Sequence, residues 1–383
     1  MTTINWICDF KAPSGYGRAS RADLRALIKA GLRPNVTQHI HDRTQLKLED
    51  PFWVEHEESV LAPAPDMPDI TVWQETPEFY RPDPLTKDVS RIEWETSRII
   101  DYDHSGNKLY NWVYQLNRMS EIWSASEFVA QALKDSGVTT PCYVIPHPTD
   151  LDMFCPGPRT IIGDNLNKDK FTVLSVFQKT VRKSPDELLV AWSRSSLGRK
   201  ADCCLLLKTY GAGFGDDEAR GIVSSIANFR NSLNIRGLKA NVFPLTWLVP
   251  ESRMPDLYRA ADVYLNAARG EGFGMPQAEA LACGIPAVYA DNTAMRDYAV
   301  GYPVECIREP VWGMPHIPWY SADQDWWTPR ISSMVEQLEK AYEDWKSGRL
   351  DELGKAARAK AEELHSDERV GALLKERIAV LIR

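Results

Sequence analysis

Two carboxylates, Glu271 and Glu279, stand with seven residues between them in the stretch EGFGMPQAEALACGIP, residues 271–286, and the glycines of Gly272-Phe273-Gly274 and then Pro276 lie in that interval. Helix interiors avoid glycine and proline, so the stretch reads as a loop that becomes a helix. Pro276 suits the first helical turn, and Gly284 with Pro286 stops the helix. Glu279 then falls in the first or second turn, with Glu271 out on the loop. Such a turn presents unpaired backbone N–H groups, which bind anions, between two acceptors suited to hydroxyl groups. A molecule with a phosphate in the middle and hydroxyls at both ends would fit. The bland alternative is a capped helix with solvated glutamates.

Two further places offer anion chemistry. Arg182 and Lys183 precede Ser184-Pro185-Asp186-Glu187, which reads as a capping box with proline at the first helical position. Positive charge beside a helix N-terminus costs a few tenths of a kcal/mol, roughly, so its presence invites a bound anion as the reason. The second place is PSGYGRASR, residues 13–21, where Gly15 and Gly17 permit a tight turn after the first strand. It is not a GxGxxG fingerprint and does not license a nicotinamide cofactor. Along the helix that follows, Arg18, Arg21, Arg25, Lys29 and Arg33 recur at spacings of three and four, opposite Leu24, Leu27 and Ile28. The stripe reads as a solvated basic face, with contact to a phospholipid surface or a nucleic-acid backbone as the functional alternative.

The elements that must position these residues alternate between β-like runs and helical patterns, the signature of parallel sheets covered by helices. The first half carries strands near 3–10, 35–40, 69–74, 91–95, 121–125 and 142–146, with helices near 18–31 and 126–136. Residues 147–170, rich in proline, glycine and charge, read as a linker. Alternation restarts with strands at 171–177, 203–210, 241–249, 263–268 and 287–291 and a helix from Ser184. Ligands of such sheets bind beyond the carboxyl ends of the strands, where Glu271 and Glu279 fall. The expected division is a first domain over 1–155, a second over 156–345 that carries both motif carboxylates, and C-terminal helices over 346–383.

Composition bounds the function. The 383 residues suffice for two cores, and a net charge of −8 argues against general nucleic-acid binding. The start MTTINWICDF has no basic region followed by an apolar one, and seven cysteines without metal-type pairing agree with a reducing compartment, so the chain reads as cytoplasmic. Seven histidines lie scattered without an HExxH-like pair, and no protein-bound metal is expected. Trp312, Trp319, Trp326 and Trp327 in residues 310–330 suggest either the cover of a core edge or a stacking surface.

Taken in order, these pieces resemble the family-4 retaining glycosyltransferases of the GT-B fold. Glu271 and Glu279 match that family's E-x7-E motif, SASEFVAQALKDSGV (124–138) its "PSEFV" helix, and VIPHPTDLDMF (144–154) its linker. TVLSVFQKTVRKSPDELLVAW and MPDLYRAADVYLNAARGEGFG are similar to the segments that open the donor domain and lead into the motif. The resemblance implies two Rossmann-like domains facing a cleft, the acceptor side over 1–155 and the donor-binding side over 156–345, with the helices of 346–383 crossing back to the first. It also implies transfer of a sugar from a UDP- or GDP-linked donor to a hydroxyl, with no cofactor and no metal. It implies that Glu279 binds ribose, that Glu271 holds the transferred sugar, that amides at Phe273, Gly274 and Met275 meet the sugar and diphosphate, and that Gly15 and Gly17 approach the donor. Lys183 occupies the diphosphate lysine, with Arg182 or Lys179 beside it, since Gln178 replaces the family's usual arginine; Pro148 replaces a linker glycine. No general base follows from the sequence, although His104, Asp103 and Glu95 lie in the acceptor half. A sugar-nucleotide epimerase and a non-catalytic nucleotide-sugar binding protein are the alternatives. The acceptor stays open among lipid-linked glycan, small metabolite, protein and hydroxymethylated DNA base.

Overall fold

The computed structural model describes residues 2–41, 44–163, 166–211, 213, 215–314 and 317–383. Its first half runs β1 (Ile4–Cys8), α1 (Gly15–Lys29), β2 (Pro34–Gln38), α2 (Pro51–Val60), β3 (Ile70–Trp73), β4 (Lys87–Ile92), α3 (Trp112–Leu116), β5 (Glu121–Ser124), α4 (Glu127–Asp135) and β6 (Cys142–Val144). These strands form one parallel sheet in the order β2-β1-β3-β4-β5-β6. The second half runs β7 (Phe171–Gln178), α5 (Pro185–Arg194), β8 (Cys203–Tyr210), α6 (Asp216–Ser232), β9 (Val242–Leu245), α7 (Met254–Arg259), β10 (Val263–Asn266), α8 (Met275–Ala282), β11 (Ala287–Ala290), α9 (Met295–Tyr298) and β12 (Gly301–Val304). It forms a second parallel sheet, β12-β11-β10-β7-β8-β9. A hairpin, β13 (Cys306–Pro310) with β14 (Asp325–Pro329), precedes α10 (Ile331–Ser347), α11 (Leu350–His365) and α12 (Asp367–Leu381).

Strands buried on both faces read as unbroken apolar runs, and Phe171–Gln178 and Cys203–Tyr210 are such runs, buried almost throughout. Two elements differ from expectation in ways that matter for the site. The fourth strand ends at Ile92, not at residue 95, so Glu93, Trp94 and Glu95 leave the sheet and reach the second half. The polar helix α6 escaped the sequence reading because only Ile222 and Ile226 are buried along it.

The last three helices tie the halves together. α11 packs on α8, where Gly354 meets the Gly284 carbonyl so closely that a Cβ would lie 2.6 Å from it. α12 crosses to α1; there Gly371 leaves 2.5 Å between an added Cβ and the Ala26 oxygen, and Lys375 donates to the Ala30 carbonyl at 2.7 Å. Among the described residues no helix is long and apolar enough to cross a membrane.

The basic stripe on α1 is not a solvated face. Arg18 pairs with Glu279, Arg21 with Glu251 at 2.9 Å, and Arg25 with Asp367 at 2.9 Å and Asp150 at 3.3 Å, while Lys29 reaches Asp367 at 2.8 Å. Arg21 and Arg25 are buried and Arg18 is half-buried, whereas Lys29, although paired, and Arg33 are exposed. α1 is therefore covered on both sides, by its own sheet and by charged residues of the second half and α12. Arg21 and Arg25 are therefore committed to internal pairs and not available to a membrane or nucleic-acid partner, while Lys29 and Arg33 stay at the surface.

Candidate functional site

The loop between β10 and α8 is shaped by close approach. A Cβ on Gly270 would overlap the carbonyl oxygen of Glu95, and one on Gly272 would stand 2.8 Å from the Trp94 nitrogen, so both glycines let this loop touch the 93–95 segment of the first half. Gly274 adopts φ +87°, a left-handed turn that starts α8, with Pro276 in its first turn. Tyr298 places its hydroxyl 2.6 Å from the Phe273 carbonyl and 3.0 Å from that of Gly274. Gly270→Ala should therefore cost about 1–3 kcal/mol as an overpacked contact. It should also enlarge the radius of gyration in small-angle scattering as the halves part; an unchanged melting temperature and radius would show that the 93–95 segment yields freely.

Each motif carboxylate is buried in its own ion pair. Glu271 accepts from Lys183 Nζ and, at 3.3 Å, from Arg182 Nη1, and its amide donates to Thr293 Oγ1 at 3.0 Å. Arg182 also donates to the Gly270 carbonyl at 2.8 Å and pairs through Nε with Glu95 at 2.9 Å, which in turn accepts from the Tyr320 hydroxyl at 2.5 Å. Glu279 accepts from Arg18 and, at 2.5 Å, from the Tyr258 hydroxyl. Burial opposes ionisation of Glu271, but Lys183 and Arg182 overcome it and hold the carboxyl below its usual range. Burial, and after it Arg182, pull Lys183 below the ordinary lysine range. Burial pushes Glu279 up against the opposing charge of Arg18.

Arg182 and Lys183 ride on a 3-10 turn, Val181–Lys183, and the expected capping box after it does not form. Ser184 takes φ 49°, its hydroxyl has no hydrogen-bond partner, and Glu187 instead accepts from Arg269 at 2.5 Å. Arg269, which the sequence reading missed although it adjoins the motif, also donates to the Val181 carbonyl at 2.5 Å and clamps the turn. Lys179 points elsewhere, to Ser225 Oγ at 2.6 Å, and Gln178 donates to the Gly211 carbonyl at 2.9 Å. The cationic pair beside Glu271 is thus Lys183 with Arg182.

On the opposing half, Ser14 caps α1 and accepts from the Gly17 amide at 3.4 Å, so that amide already has a partner. Gly17 is required by packing, because a Cβ would overlap the Ala12 carbonyl, whereas Gly15 faces open space. Of the three first-half candidates for a base, only Glu95 reaches the motif; Asp103 and His104 sit on a surface 3-10 turn. The tryptophans of 310–330 pack on protein: Trp326 is buried, Trp319 stacks on Tyr110 at 5.4 Å, and Trp327 meets Phe128 edge-on at 5.3 Å. Trp312 is the exposed one, with the Arg269 guanidinium 4.7 Å from its ring centre. The site therefore brings the two motif carboxylates, three cations (Lys183, Arg182 and Arg18) and a helix N-terminus together where the halves meet.

Residues 162–302 match the family of glycosyl transferases group 1. The chain is 28% identical over 232 residues to a D-inositol 3-phosphate glycosyltransferase of Gordonia bronchialis, an alignment covering 59% of this chain and 44% of that protein. It is 31% identical over 169 residues to the enzyme of the same name from Rhodococcus erythropolis, covering 43% and 37%. The chain thus spans less than half the length of these relatives. Among solved structures, Anabaena Alr3699/HepE in complex with UDP and glucose superposes with a TM-score of 0.68 at 13% identity, over 99% of this chain and 100% of that one. Sucrose-phosphate synthase from Thermosynechococcus elongatus gives 0.66 at 15% identity, over 100% and 99%.

Proposed function

Because residues 162–302 belong to the glycosyl transferases group 1 family and the chain as a whole has the GT-B fold, we propose that it moves a sugar from a nucleoside-diphosphate sugar to an acceptor hydroxyl, with retention at the anomeric carbon. The observation that carries this reading is the convergence of Lys183 and Arg182 on Glu271 at the start of α8. Within the protein these charges neutralise one another, Arg182 and Lys183 against Glu271 and Glu95. A bound donor exchanges the partners: its diphosphate takes Lys183, Arg182 and the amides near Gly274, and its sugar hydroxyls take Glu271. Glu279 receives the ribose. The nucleotide sits in the donor half, 156–345, and the acceptor enters from 1–155. UDP is the favoured nucleotide, since the Anabaena neighbour holds it, with GDP as the alternative.

As the anomeric C–O bond breaks, negative charge grows on the departing diphosphate, and the two cations with the helix N-terminus stabilise it. The leaving phosphate oxygen takes the proton of the acceptor hydroxyl on the same face, so the chain supplies no general base. Those cations take the place of a divalent ion on the diphosphate. All seven cysteines are free thiols, which supports a reducing, cytoplasmic setting.

Incubation with a panel of UDP- and GDP-sugars, with and without candidate acceptors, tests the reading by mass spectrometry of products. An acceptor-dependent sugar adduct supports transfer; an epimerised donor or binding without turnover points to the other two functions, and NMR of the new linkage decides retention. Glu279→Ala should weaken UDP binding in calorimetry by about 1–3 kcal/mol, the worth of a lost buried hydrogen bond. Unchanged affinity would remove the ribose from this position.

A further inference from the structure

We propose that His39, His41 and Glu75 form a binding site for a divalent transition-metal cation of the zinc type. The three side chains come from the carboxyl ends of β2 and β3, the two strands that flank β1 in the first sheet. The His39 amide donates to the Cys8 carbonyl at 2.9 Å and the Gln74 amide to that of Ile7 at 3.0 Å, so both strands stay in register up to the cluster. His39 Nδ1 lies 3.5 Å from Glu75 Oε1, and His41 Nε2 lies 2.7 Å from Glu75 Oε2. One ligand atom from each residue falls within 4.8 Å of the others. Bonds of about 2.0–2.2 Å from a tetrahedral ion place its nitrogen and oxygen ligands roughly 3.3 Å apart, between the two separations found.

The charge balance points the same way. The Glu75 side chain is 6% exposed, and Oε1 has no hydrogen-bond donor. Among the described residues no lysine or arginine pairs with it; two imidazoles are its partners. A buried carboxylate left without a cation is costly, and an ion shared with two neutral imidazoles removes that cost. The surroundings hold the ligands in place. Asp9 Oδ2 accepts from the His41 amide at 2.9 Å, the Tyr80 hydroxyl donates to the Glu75 carbonyl at 3.0 Å, and the Phe79 ring packs on both imidazoles at 4.6 and 4.9 Å. Three ligands leave a fourth position open. His41 and Glu75 line a cavity of about 670 Å³ shared with Ser14 and Tyr16, so that position faces the side of the molecule from which an acceptor would enter.

The test does not depend on sugar transfer. The full chain, stripped with a chelator, is titrated with zinc chloride by calorimetry and followed by thermal shift, alongside His39→Ala/His41→Ala and Glu75→Gln. The expected result is one saturable zinc equivalent that raises the melting temperature of the wild type. In both variants affinity should fall by about 100-fold or more, with UDP binding unchanged and a cooperative melting transition retained in the absence of zinc. An anomalous peak at the zinc edge between the three residues would agree. The proposal is overturned if the wild type binds no zinc saturably, or if the variants bind it as tightly, which would assign the ion to thiols or other imidazoles. Failure of UDP to bind any form, with the zinc result intact, would count against the transferase reading alone.

Discussion

Replacing Lys183 by alanine is expected to lower the maximal rate of sugar transfer by about 10²–10³-fold, the loss found when one preorganised donor to a developing oxyanion is removed. Lys183 is set between Arg182 and Glu271 before any donor arrives. In the proposed transfer its charge would meet the diphosphate in the ground state, but the charge it offsets would grow as the glycosidic bond breaks, so donor affinity should fall much less than turnover. Lys183→Arg should not restore the rate: Arg182 already fills the neighbouring space, and a planar fork does not replace a point charge. Because burial and Arg182 lower its pKa, kcat/KM, which reports the free enzyme, should fall with rising pH before the ordinary lysine range is reached. The decline belongs on the alkaline side, because the protonated amine is the active form. Initial rates at saturating donor decide the matter. A variant that loses donor affinity and keeps its maximal rate would reduce Lys183 to a binding residue.

Much of this arrangement is legible in the sequence because its signals are local. Apolar runs mark the strands of both sheets except β12, where Gly301 and Pro303 interrupt a four-residue strand, and glycine and proline mark the loop from Gly270 into α8. What local signals do not carry is the partner of a charge. The spacing of Arg18, Arg21 and Arg25 puts them on one face of α1, but the residue that covers Arg25 is Asp367, 342 positions away. Solvation and a buried ion pair look alike from the helix alone. The same limit hides the imidazole cluster, since His41 and Glu75 are 34 residues apart and meet only because β1 lies between their strands. The capping box fails for a different reason. Ser184 has the right side chain, but its left-handed backbone, which ends the turn carrying Lys183, turns that side chain away from the helix.

Arg91→Met should destabilise the protein by about 3–5 kcal/mol, the usual consequence of leaving a buried charge without its partner. Arg91 on β4 and Asp23 on α1 are fully buried, joined at 2.9 and 3.0 Å. The same guanidinium donates to the Ile145 carbonyl at 2.5 Å and the Pro146 carbonyl at 3.3 Å, and so fastens the start of the connection between the halves. His147 follows, with Nδ1 3.0 Å from Asp23, Nε2 2.5 Å from Glu93, and its ring edge-on to Phe273 of the motif loop at 5.3 Å. Burial and Arg91 push His147 down, but Asp23 and Glu93 outweigh them and hold it above the ordinary imidazole range. An imidazolium can donate to both carboxylates at once, leaving two cations against two anions. Its stabilisation is full at low pH and is lost as pH rises through that raised value. Asp23, held low against its burial by Arg91 and His147, contributes the opposite way and is lost only in acid. Removing Arg91 alone leaves Asp23 and Glu93 facing the single charge of His147 and takes the guanidinium from two backbone carbonyls; for units of this size the deficit corresponds to a fall in melting temperature on the order of 10 °C. Arg91→Met/Asp23→Leu should recover part of it, since exchanging a whole buried pair for apolar groups is often neutral. Equal melting temperatures for wild type and Arg91→Met would mean that water or His147 satisfies Asp23, and that the cluster does not fasten the linker.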